Sequence, residues 1–236
     1  MEKQEKIVSM FNNIAPTYDK ANRVMSMGID KSWRDKACNK TFEIYNKKTI
    51  EKIVDVACGT GDMILFWKQN AKKKDITLEN IVGIDPSVGM MEVGKTKLPE
   101  VEFIEAFATK MPLENDSADI LSISYGIRNV VQRQEAFYEF ARVLKKDGLV
   151  VISEFTKNKK KSFLDKLTAF YMDNILPIIG GIISKNKEAY RYLPDSIDEF
   201  LTTENLCKEL EIAGFEIVYT KAFSMKISTL IIAKKI

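Results

Sequence analysis

Short apolar runs alternate with segments of helical periodicity through the middle of the chain, and this alternation predicts most of the fold. The apolar runs predict five strands, at Lys52–Ala57, Ile81–Asp85, Val101–Glu105, Ala118–Tyr125 and Leu149–Phe155. Between them, helical spacing predicts helices at Asp62–Ala71, Ser87–Lys97 and Gln134–Leu144. Ser87 is the expected N-cap of the second helix, and Asp147–Gly148 is the expected turn before the last strand. Strands separated by helices indicate a parallel sheet with helices on both faces.

The two ends of the chain follow patterns different from this core of residues 47–155. Residues 1–46 are amphipathic and predict three short helices. The segment 156–198 interrupts the alternation and predicts a helical insertion that caps the core. Residues 199–236 predict a helix at Thr203–Ala213 and two strands, Phe215–Thr220 and Ile227–Ala233, which suit an antiparallel hairpin at the sheet edge. We therefore expect a single α/β domain with a seven-stranded, mostly parallel sheet.

The sequence VDVACGTGD, at Val54–Asp62, joins the first predicted strand to the first helix of the core. Gly59 and Gly61 lack Cβ atoms, so the main chain there can approach a ligand closely and adopt positive φ angles. Backbone N–H groups then face the ligand, and Asp85, at the end of the next strand, is placed to accept hydrogen bonds from ribose hydroxyls. This pairing predicts a bound adenosine cofactor, although a glycine pair alone also occurs in strand–helix turns that bind nothing.

The type of cofactor follows from what the motif lacks. No third glycine completes GxGxxG, and no GKS or GKT follows the turn, so neither the dinucleotide pattern nor the P-loop is present. Asp55, Asp62 and Asp85 would repel a pyrophosphate and attract a sulfonium ion. S-adenosylmethionine, which carries no phosphate, fits the motif best.

Composition narrows the chemistry and the cellular context. A chain of 236 residues that is 45% hydrophobic can bury one sizeable core, and a net charge of +3 is too mild to indicate a nucleic-acid partner. The three cysteines are scattered, and the charged N-terminal segment lacks the apolar core of a signal peptide, so we expect a cytoplasmic protein. The uncharged stretch Asn174–Ser184 is too short to span a bilayer. The chain has no histidine and no CxxC, which excludes histidine-dependent catalysis and predicts no metal.

Several motifs together resemble class I S-adenosylmethionine-dependent methyltransferases, which have a Rossmann-like fold: VDVACGTGD, Asp85, KMPLENDSADILSISYGIRNV and the RVLKKDG turn. Three more specific segments are PTYDKANRVMSMGIDKSWR (16–34), SYGIRNV (124–130) and EAYRYLPDSI (188–197). These are similar to the quinone-biosynthesis C-methyltransferase family, which comprises demethylmenaquinone methyltransferase and 2-polyprenyl-6-methoxy-benzoquinol methylase. The resemblance covers essentially the whole chain and implies an N-terminal lid in 1–46 and a cofactor-binding core in 47–155.

The resemblance also implies which residues bind S-adenosylmethionine. Thr60 would contact the amino-acid end of the cofactor, Asp85 would hold the ribose, and Ser124 would lie beside the methyl donor. Met90 and Phe107–Ala108 would border the adenine, with Ala108 offering its backbone N–H. The other cofactor-binding positions are those of the glycine motif, namely Asp55, Gly59 and Gly61.

The implied substrate is a polyprenyl quinol, whose ring carbon accepts the methyl group. Arg128 and Asn129 would stabilise the phenolate, because a guanidinium is a poor base but a good partner for an oxyanion. Without the resemblance, these two residues are better explained as a loop salt bridge and a turn residue. Tyr18 is the third catalytic candidate, and substrate contacts are expected from Asp19, Asn22, Tyr190 and Tyr192.

Three positions depart from the family pattern. Phe107 stands where the family has Asn or Asp, Asp30 stands where it has His, and Ser224–Ser228 replaces a glycine-rich turn. Two other functions remain open, a methyltransferase that acts on O or N of a soluble metabolite and a non-catalytic cofactor-binding subunit. We also expect a homodimer and peripheral contact of 157–183 with the inner face of the membrane. The basic run Lys157–Lys161 could meet anionic lipid there, and the alternative is that it is an ordinary solvated charge run.

Overall fold

A computed structural model describes residues 2–157, 171, 178–181, 186–224 and 226–236, and of Lys187, Glu188 and Tyr190 it describes the backbone. The helices are α1 (Glu2–Met25), α2 (Ile29–Tyr45), α3 (Asp62–Lys73), α4 (Val88–Lys97), α5 (Arg133–Val143), α6 (Lys187–Glu199) and α7 (Thr203–Ile212). The strands are β1 (Thr49–Val56), β2 (Thr77–Asp85), β3 (Glu102–Glu105), β4 (Ala118–Ser124), β5 (Leu144–Glu154), β6 (Phe215–Phe223) and β7 (Ser228–Lys235). A short 3₁₀ turn, Ile127–Asn129, follows β4.

The seven strands form one sheet in the order β3-β2-β1-β4-β5-β7-β6. Strands β1 to β5 pair in parallel, whereas β7 pairs antiparallel with both β5 and β6. The α/β fold, the seven-stranded, mostly parallel sheet and the antiparallel edge hairpin predicted from the sequence are confirmed. The chain places β2 and β3 on one side of β1 and β4 on the other, so the strand order reverses between β1 and β4. In open α/β sheets, ligands bind at the carboxyl ends of the strands on either side of such a reversal.

The N-terminal prediction of three short helices is wrong, because residues 2–45 form two long ones. Pro16 lies inside α1 without ending it. The missing N–H of Pro16 costs one helical hydrogen bond, but the helix buries Ile14, Ala15 and Ala21 on both sides of the proline. Packing of α1 against α4 therefore outweighs the local breaking signal.

The predicted turn at Asp147–Gly148 lies instead inside β5, which begins at Leu144. Between the pairs Ala118–Leu144 and Ile120–Leu149, β5 carries more residues than β4, so the extra residues bulge out of the ladder. Asp147 adopts φ 63° there. The N-cap prediction at Ser87 is confirmed, since its hydroxyl accepts a hydrogen bond from the backbone N–H of Met90.

The core lies on both faces of the sheet. On one face, Phe137, Phe140 and Leu206 from α5 and α7 are fully buried against the strands. On the other face, α2 and α3 contribute Phe42 and Trp67, whose rings meet edge to face with centroids 5.2 Å apart. Removal of one such aromatic side chain costs roughly 3–5 kcal/mol, so these helices are firmly held. Within the described residues, no helix is long and apolar enough to cross a bilayer.

Candidate active site

The glycine turn between β1 and α3 stands at the carboxyl ends of the parallel strands. Gly59 and Gly61 have φ angles of 54° and 79°, a region that side chains with a Cβ rarely adopt. A Cβ on Gly61 would also lie 2.9 Å from Cδ1 of Leu98, whereas a Cβ on Gly59 would point into open space. The turn therefore needs both glycines for its conformation, and Gly61 also for close packing.

Asp85, the last residue of β2, fixes the shape of this turn. Its Oδ2 accepts the backbone N–H of Gly59 and its Oδ1 accepts that of Ser87, both at 2.8 Å. Burial raises the pKa of Asp85 to about 6, although the hydrogen bonds from Ser87 and Gly59 lower it. The carboxylate is thus ionised at neutral pH and still has lone pairs free to accept hydrogen bonds from a ligand.

A cavity of about 360 Å³, here called the glycine cavity, opens beside this turn. Its walls include six of the nine predicted cofactor-binding residues: Gly59, Asp85, Met90, Phe107, Ala108 and Ser124. Phe107 is 45% exposed, so its ring is accessible to a flat ligand group. The hydroxyl oxygen of Ser124 is buried and has no hydrogen-bond partner among the described residues. An unsatisfied buried hydroxyl is rare in proteins and indicates a place for a ligand atom.

The other three predicted cofactor residues do not line either cavity described here. Asp55 is buried in β1, where its Oδ1 accepts the hydroxyl of Ser122 at 2.6 Å, and Trp67 in turn donates to that hydroxyl at 2.9 Å. Burial raises the pKa of Asp55 to about 7, although Ser122 and Arg34 lower it. Gly61 caps α3, and Thr60 directs its hydroxyl to Asp19 of α1 at 2.6 Å.

The expected cluster of three negative charges is smaller in the structure than the sequence indicated. Asp62 is paired with Arg23 and with Lys97, the latter at 3.0 Å, so its charge is neutralised locally. Burial raises the pKa of Asp62, but Arg34, Lys97 and Arg23 outweigh it and hold the pKa below its ordinary value. Of the three aspartates, Asp85 is the one that lines the glycine cavity.

A second cavity of about 160 Å³, here called the aromatic cavity, adjoins the first. Its walls are mostly apolar and come from α1, α2, α6 and the loops after β4, β5 and β6. Phe11, Tyr18 and Tyr125 line both cavities and therefore stand where the two meet. Because these three residues line both cavities, the two cavities lie next to each other, as the binding of two reactants that must approach each other requires.

Arg128 is the principal charged group on one side of the aromatic cavity. Its Nη1 donates to Oε1 of Glu154 at 2.6 Å and to the carbonyl oxygen of Tyr125 at 2.9 Å, and its Nε donates to Ser196 at 3.2 Å. Glu154 is fully buried and the side chain of Arg128 is 7% exposed. A buried, multiply bonded guanidinium is held in one orientation, which is what binding of an oxyanion requires.

The two neighbouring candidates Arg128 and Asn129 face different cavities. Asn129 lines the glycine cavity, and its Oδ1 accepts the hydroxyl of Tyr192 at 2.9 Å. Tyr192 itself lines the aromatic cavity, so this hydrogen bond joins α6 to the 3₁₀ turn between the cavities. The side chain of Tyr190 lies outside the described residues.

The candidates on α1 fall into two groups. Tyr18 and Asn22 line the aromatic cavity, and burial raises the pKa of Tyr18, although Asn22, Arg128 and Arg34 lower it. Asp19 points elsewhere: it accepts hydrogen bonds from Thr60 and, at 2.8 Å, from Lys97. Asp19 thus attaches α1 to the glycine turn.

Tyr125 is a prominent residue of the site that sequence reasoning missed. It adopts φ 60° at the end of β4, its hydroxyl lies 3.0 Å from Ser228 Oγ, and burial raises its pKa to about 12. Its position in SYGIRNV, beside Gly126, was the available signal. A Cβ on Gly126 would lie 2.6 Å from Cβ of Ala57, so the glycine permits the sharp exit from β4.

The positions that depart from the family pattern have acquired partners of their own. Asp30, which replaces a histidine, is paired with Arg23 and, at 2.8 Å, with Arg34, and it accepts the hydroxyl of Ser26 at 2.7 Å. In the turn Ser224–Ser228, Ser224 accepts the indole N–H of Trp33 at 3.1 Å, and Ser228 bonds Tyr125. The serines therefore fasten two aromatic walls of the aromatic cavity.

The sheet order, the glycine turn and the acid at the end of β2 define an α/β protein with a Rossmann-like fold and a nucleoside site at the carboxyl ends of its strands. A solved structure similar to this chain is a SAM-dependent methyltransferase from Thermotoga maritima, described as a possible histamine N-methyltransferase, with a TM-score of 0.64. The match covers 98% of this chain and 100% of that one at 18% identity, so it supports the fold alone.

Sequence comparison gives the family. Residues 1–235 match the model of the ubiE/COQ5 methyltransferase family. The chain is 59% identical, over 100% of both sequences, to a ubiquinone/menaquinone biosynthesis C-methyltransferase UbiE of Campylobacter jejuni. It is also 36% identical to a demethylmenaquinone methyltransferase of Chlorobaculum tepidum, over 98% of this chain and 93% of that one. The chain belongs to the ubiE/COQ5 methyltransferase family, and the resemblance inferred from its motifs is confirmed.

Proposed function

We propose that this protein is an S-adenosylmethionine-dependent C-methyltransferase that methylates the ring of a polyprenyl quinol. The reaction is the conversion of demethylmenaquinol to menaquinol, the corresponding step of ubiquinone biosynthesis, or both. The observation that carries the proposal is the junction of the glycine cavity with the aromatic cavity at Phe11, Tyr18 and Tyr125. The glycine cavity has the groups that suit an adenosine cofactor. The aromatic cavity has apolar walls and the guanidinium of Arg128, which is held in one orientation.

The residues of the glycine cavity fit S-adenosylmethionine, which supplies an electrophilic methyl group on a sulfonium. Asp85, which lines this cavity, would accept hydrogen bonds from the ribose hydroxyls, since each of its oxygens has a further acceptor site. Met90, Phe107 and Ala108 form the adenine wall, and the unpartnered hydroxyl of Ser124 gains a ligand acceptor or donor. Thr60 and Asp55 act indirectly, because Thr60 ties the turn to α1 and Asp55 is bonded inside the sheet.

In the aromatic cavity, Arg128 favours loss of the proton of a ring hydroxyl, to a carboxylate, a tyrosine or water, because it stabilises the phenolate that remains. The phenolate makes the ring carbon nucleophilic, and that carbon gives up its hydrogen as a proton when it gains the methyl group. Glu154, the partner of Arg128, keeps the guanidinium in place. Because Glu154 is fully buried, breaking this ion pair would leave an unpaired buried charge, which costs much free energy. Tyr18 and Asn22 line the same cavity and position the ring beside the glycine cavity. Holding the two reactants in line supplies a large part of the rate, about 7–11 kcal/mol when the geometry is tight.

The remaining parts of the chain have structural roles in this proposal. Residues 1–46 act as a lid, since α1 contributes walls to both cavities. The cap expected at 156–198 is described only in part, and its described residues Tyr192 and Leu193 line the aromatic cavity. Apolar walls suit the isoprenoid tail as well as the ring. The same proposal includes a cytoplasmic location, a homodimer, and peripheral contact of 157–183 with the inner face of the membrane. Most of 157–183 lies outside the described residues.

Transfer of labelled methyl groups tests the proposal. Purified protein is given methyl-labelled S-adenosylmethionine with demethylmenaquinol, with a demethylated methoxy-benzoquinol, or with catechol, and the lipid extract is analysed by NMR for the site of methylation. We expect a new carbon–methyl bond on a quinol ring and little label in catechol. Preferential O-methylation of catechol would support a soluble-metabolite enzyme, and cofactor binding without transfer to any acceptor would support a non-catalytic subunit.

A further inference from the structure

Arg34, on α2, is a buried arginine on the wall of the aromatic cavity that the sequence did not single out for function. Its side chain is 9% exposed. Its Nη1 donates to Asp30, at 2.8 Å to Oδ2 and 3.4 Å to the carbonyl oxygen. Among the described residues, its Nε has no hydrogen-bond partner. A buried guanidinium N–H that is left unpaired is costly, so a donor of this kind indicates a missing acceptor.

Arg34 and Arg128 are arranged around one pair of stacked rings. The guanidinium carbon of Arg34 lies 5.1 Å from the ring centroid of Tyr125, and that of Arg128 lies 5.5 Å from the centroid of Phe155. The two rings are 4.7 Å apart between centroids and tilted by 35°. Both arginines line the same cavity, each beside its own aromatic residue.

Asp30 is bonded to Arg34 through Nη1 and accepts no hydrogen bond from its Nε. Asp30 Oδ2 already accepts Arg23 and Arg34 Nη1, and its Oδ1 accepts Ser26. The same cavity is lined by the rings of Trp33, Tyr125 and Phe155 and by polar side chains, among them Asn22 and Ser224. None of these groups accepts a hydrogen bond from Nε, and an oxygen of a molecule bound in the cavity is an acceptor that would satisfy it.

We propose that Arg34 donates a hydrogen bond from Nε to a second oxygen of the substrate ring, while Arg128 binds the first. This rests on the proposed function and makes Arg34 a specificity-determining, substrate-binding residue. The substrate class that satisfies both arginines is an aromatic ring with two oxygen substituents. A ring with one oxygen leaves one buried guanidinium donor unpaired, and sites built to bond a substrate hydroxyl strongly reject analogues that lack it.

The test compares two variants on two ring substrates. Arg34→Lys keeps the charge beside Asp30 and Tyr125 but removes the Nε donor, and Arg34→Met removes both. The substrates are a short-chain demethylated naphthoquinol, kept reduced under anaerobic conditions, and its analogue with one hydroxyl replaced by hydrogen. For each pair, kcat/KM is measured by methyl transfer, and the dissociation constant is measured by quenching of tryptophan fluorescence, since Trp33 lines the cavity.

We expect the wild type to prefer the two-oxygen ring at least tenfold, in binding and in kcat/KM. Both variants should lose about 10- to 100-fold on that ring and less than threefold on the one-oxygen ring, with S-adenosylmethionine affinity unchanged by calorimetry. Equal losses on both rings would reduce Arg34 to a structural support of Tyr125, and no loss on either would also overturn the assignment. Binding is measured separately from methyl transfer. A wild type that binds the quinol without methylating it would therefore refute the proposed function, and the affinities of the Arg34 variants would still test the proposed role of Arg34. A wild type that does not bind the quinol would refute both.

Discussion

Thr60 of the glycine turn donates its hydroxyl hydrogen to Oδ1 of Asp19 at 2.6 Å and thereby joins the turn to α1. Lys97 of α4 donates to the other oxygen of the same carboxylate at 2.8 Å and to Asp62 at 3.0 Å. The helix that provides walls for both cavities is therefore attached to the turn by charged hydrogen bonds, which are stronger than neutral ones.

Replacement of Thr60 by valine should weaken cofactor binding without unfolding the protein. The side chain keeps its volume, but α1 loses one hydrogen bond to the turn, and we expect S-adenosylmethionine affinity to fall about five- to tenfold. Calorimetry measures the affinity, and hydrogen exchange of the α1 amides should become faster. The control is Thr96→Val, since Thr96 is exposed and bonds its own helix. Equal affinities in the two variants would show that the Thr60–Asp19 bond does not hold the lid.

Cofactor affinity should depend on pH through Asp85. The carboxylate accepts ribose hydroxyl hydrogens best when it is ionised, and its pKa is raised to about 6. Affinity is therefore full above that value and is lost as the pH falls through it, by about tenfold between pH 7 and pH 5. Titration calorimetry across this range is the measurement. Asp85→Asn should bind weakly at every pH with no such loss, and a wild-type slope retained in Asp85→Asn would assign the titration to another group, such as Asp55.

Asp55→Asn should stabilise the protein more at high pH than at low pH. Burial raises the pKa of Asp55 to about 7, well above its value in the unfolded chain, so ionisation of this group opposes folding as the pH rises from about 4 to 7. Asparagine keeps an acceptor for the Ser122 hydroxyl but carries no charge. We expect the gain in free energy of unfolding to be about 2 kcal/mol larger at pH 8 than at pH 5. Denaturant unfolding at both pH values measures it, and a larger gain at pH 5 would contradict the assignment.

The pair Arg128–Glu154 should behave as a coupled unit in stability but not in catalysis. Arg128→Met or Glu154→Gln alone leaves a buried charge without its partner and should lower the free energy of unfolding by about 3 kcal/mol or more. The double variant Arg128→Met/Glu154→Met should recover much of that loss, because neither charge remains. Methyl transfer should stay absent in the double variant. Recovery of activity together with stability would remove Arg128 from the mechanism.

The fold was largely predictable from the sequence, because strand order and direction follow from alternating periodicities. The lengths of the strands were less predictable: the start of β2, Thr77–Asn80, has Leu78 as its one apolar residue, yet it pairs with β1. The continuity of α1 through Pro16 and the bulge at Asp147–Gly148 depend on packing and pairing with distant elements. Local propensities do not contain that information.

The sequence predicted the site residues that belong to a backbone motif. It did not predict those whose role depends on their being buried beside a distant part of the chain. Gly59 and Asp85 were identified because a turn and a strand end fix their places. Arg34 and Glu154 were not, since no local pattern tells whether a charged residue will be buried against an ion-pair partner from elsewhere in the chain. The prediction that Asp62 adds negative charge to the cofactor pocket was wrong for the same reason, since its partners Arg23 and Lys97 come from other helices.

Phe11, Tyr18 and Tyr125 belong to the walls of both cavities, and this has a thermodynamic consequence. A reactant that holds these rings in the position that the other reactant contacts raises the affinity for that other reactant. Linkage requires the benefit to be mutual and equal in size for the two partners.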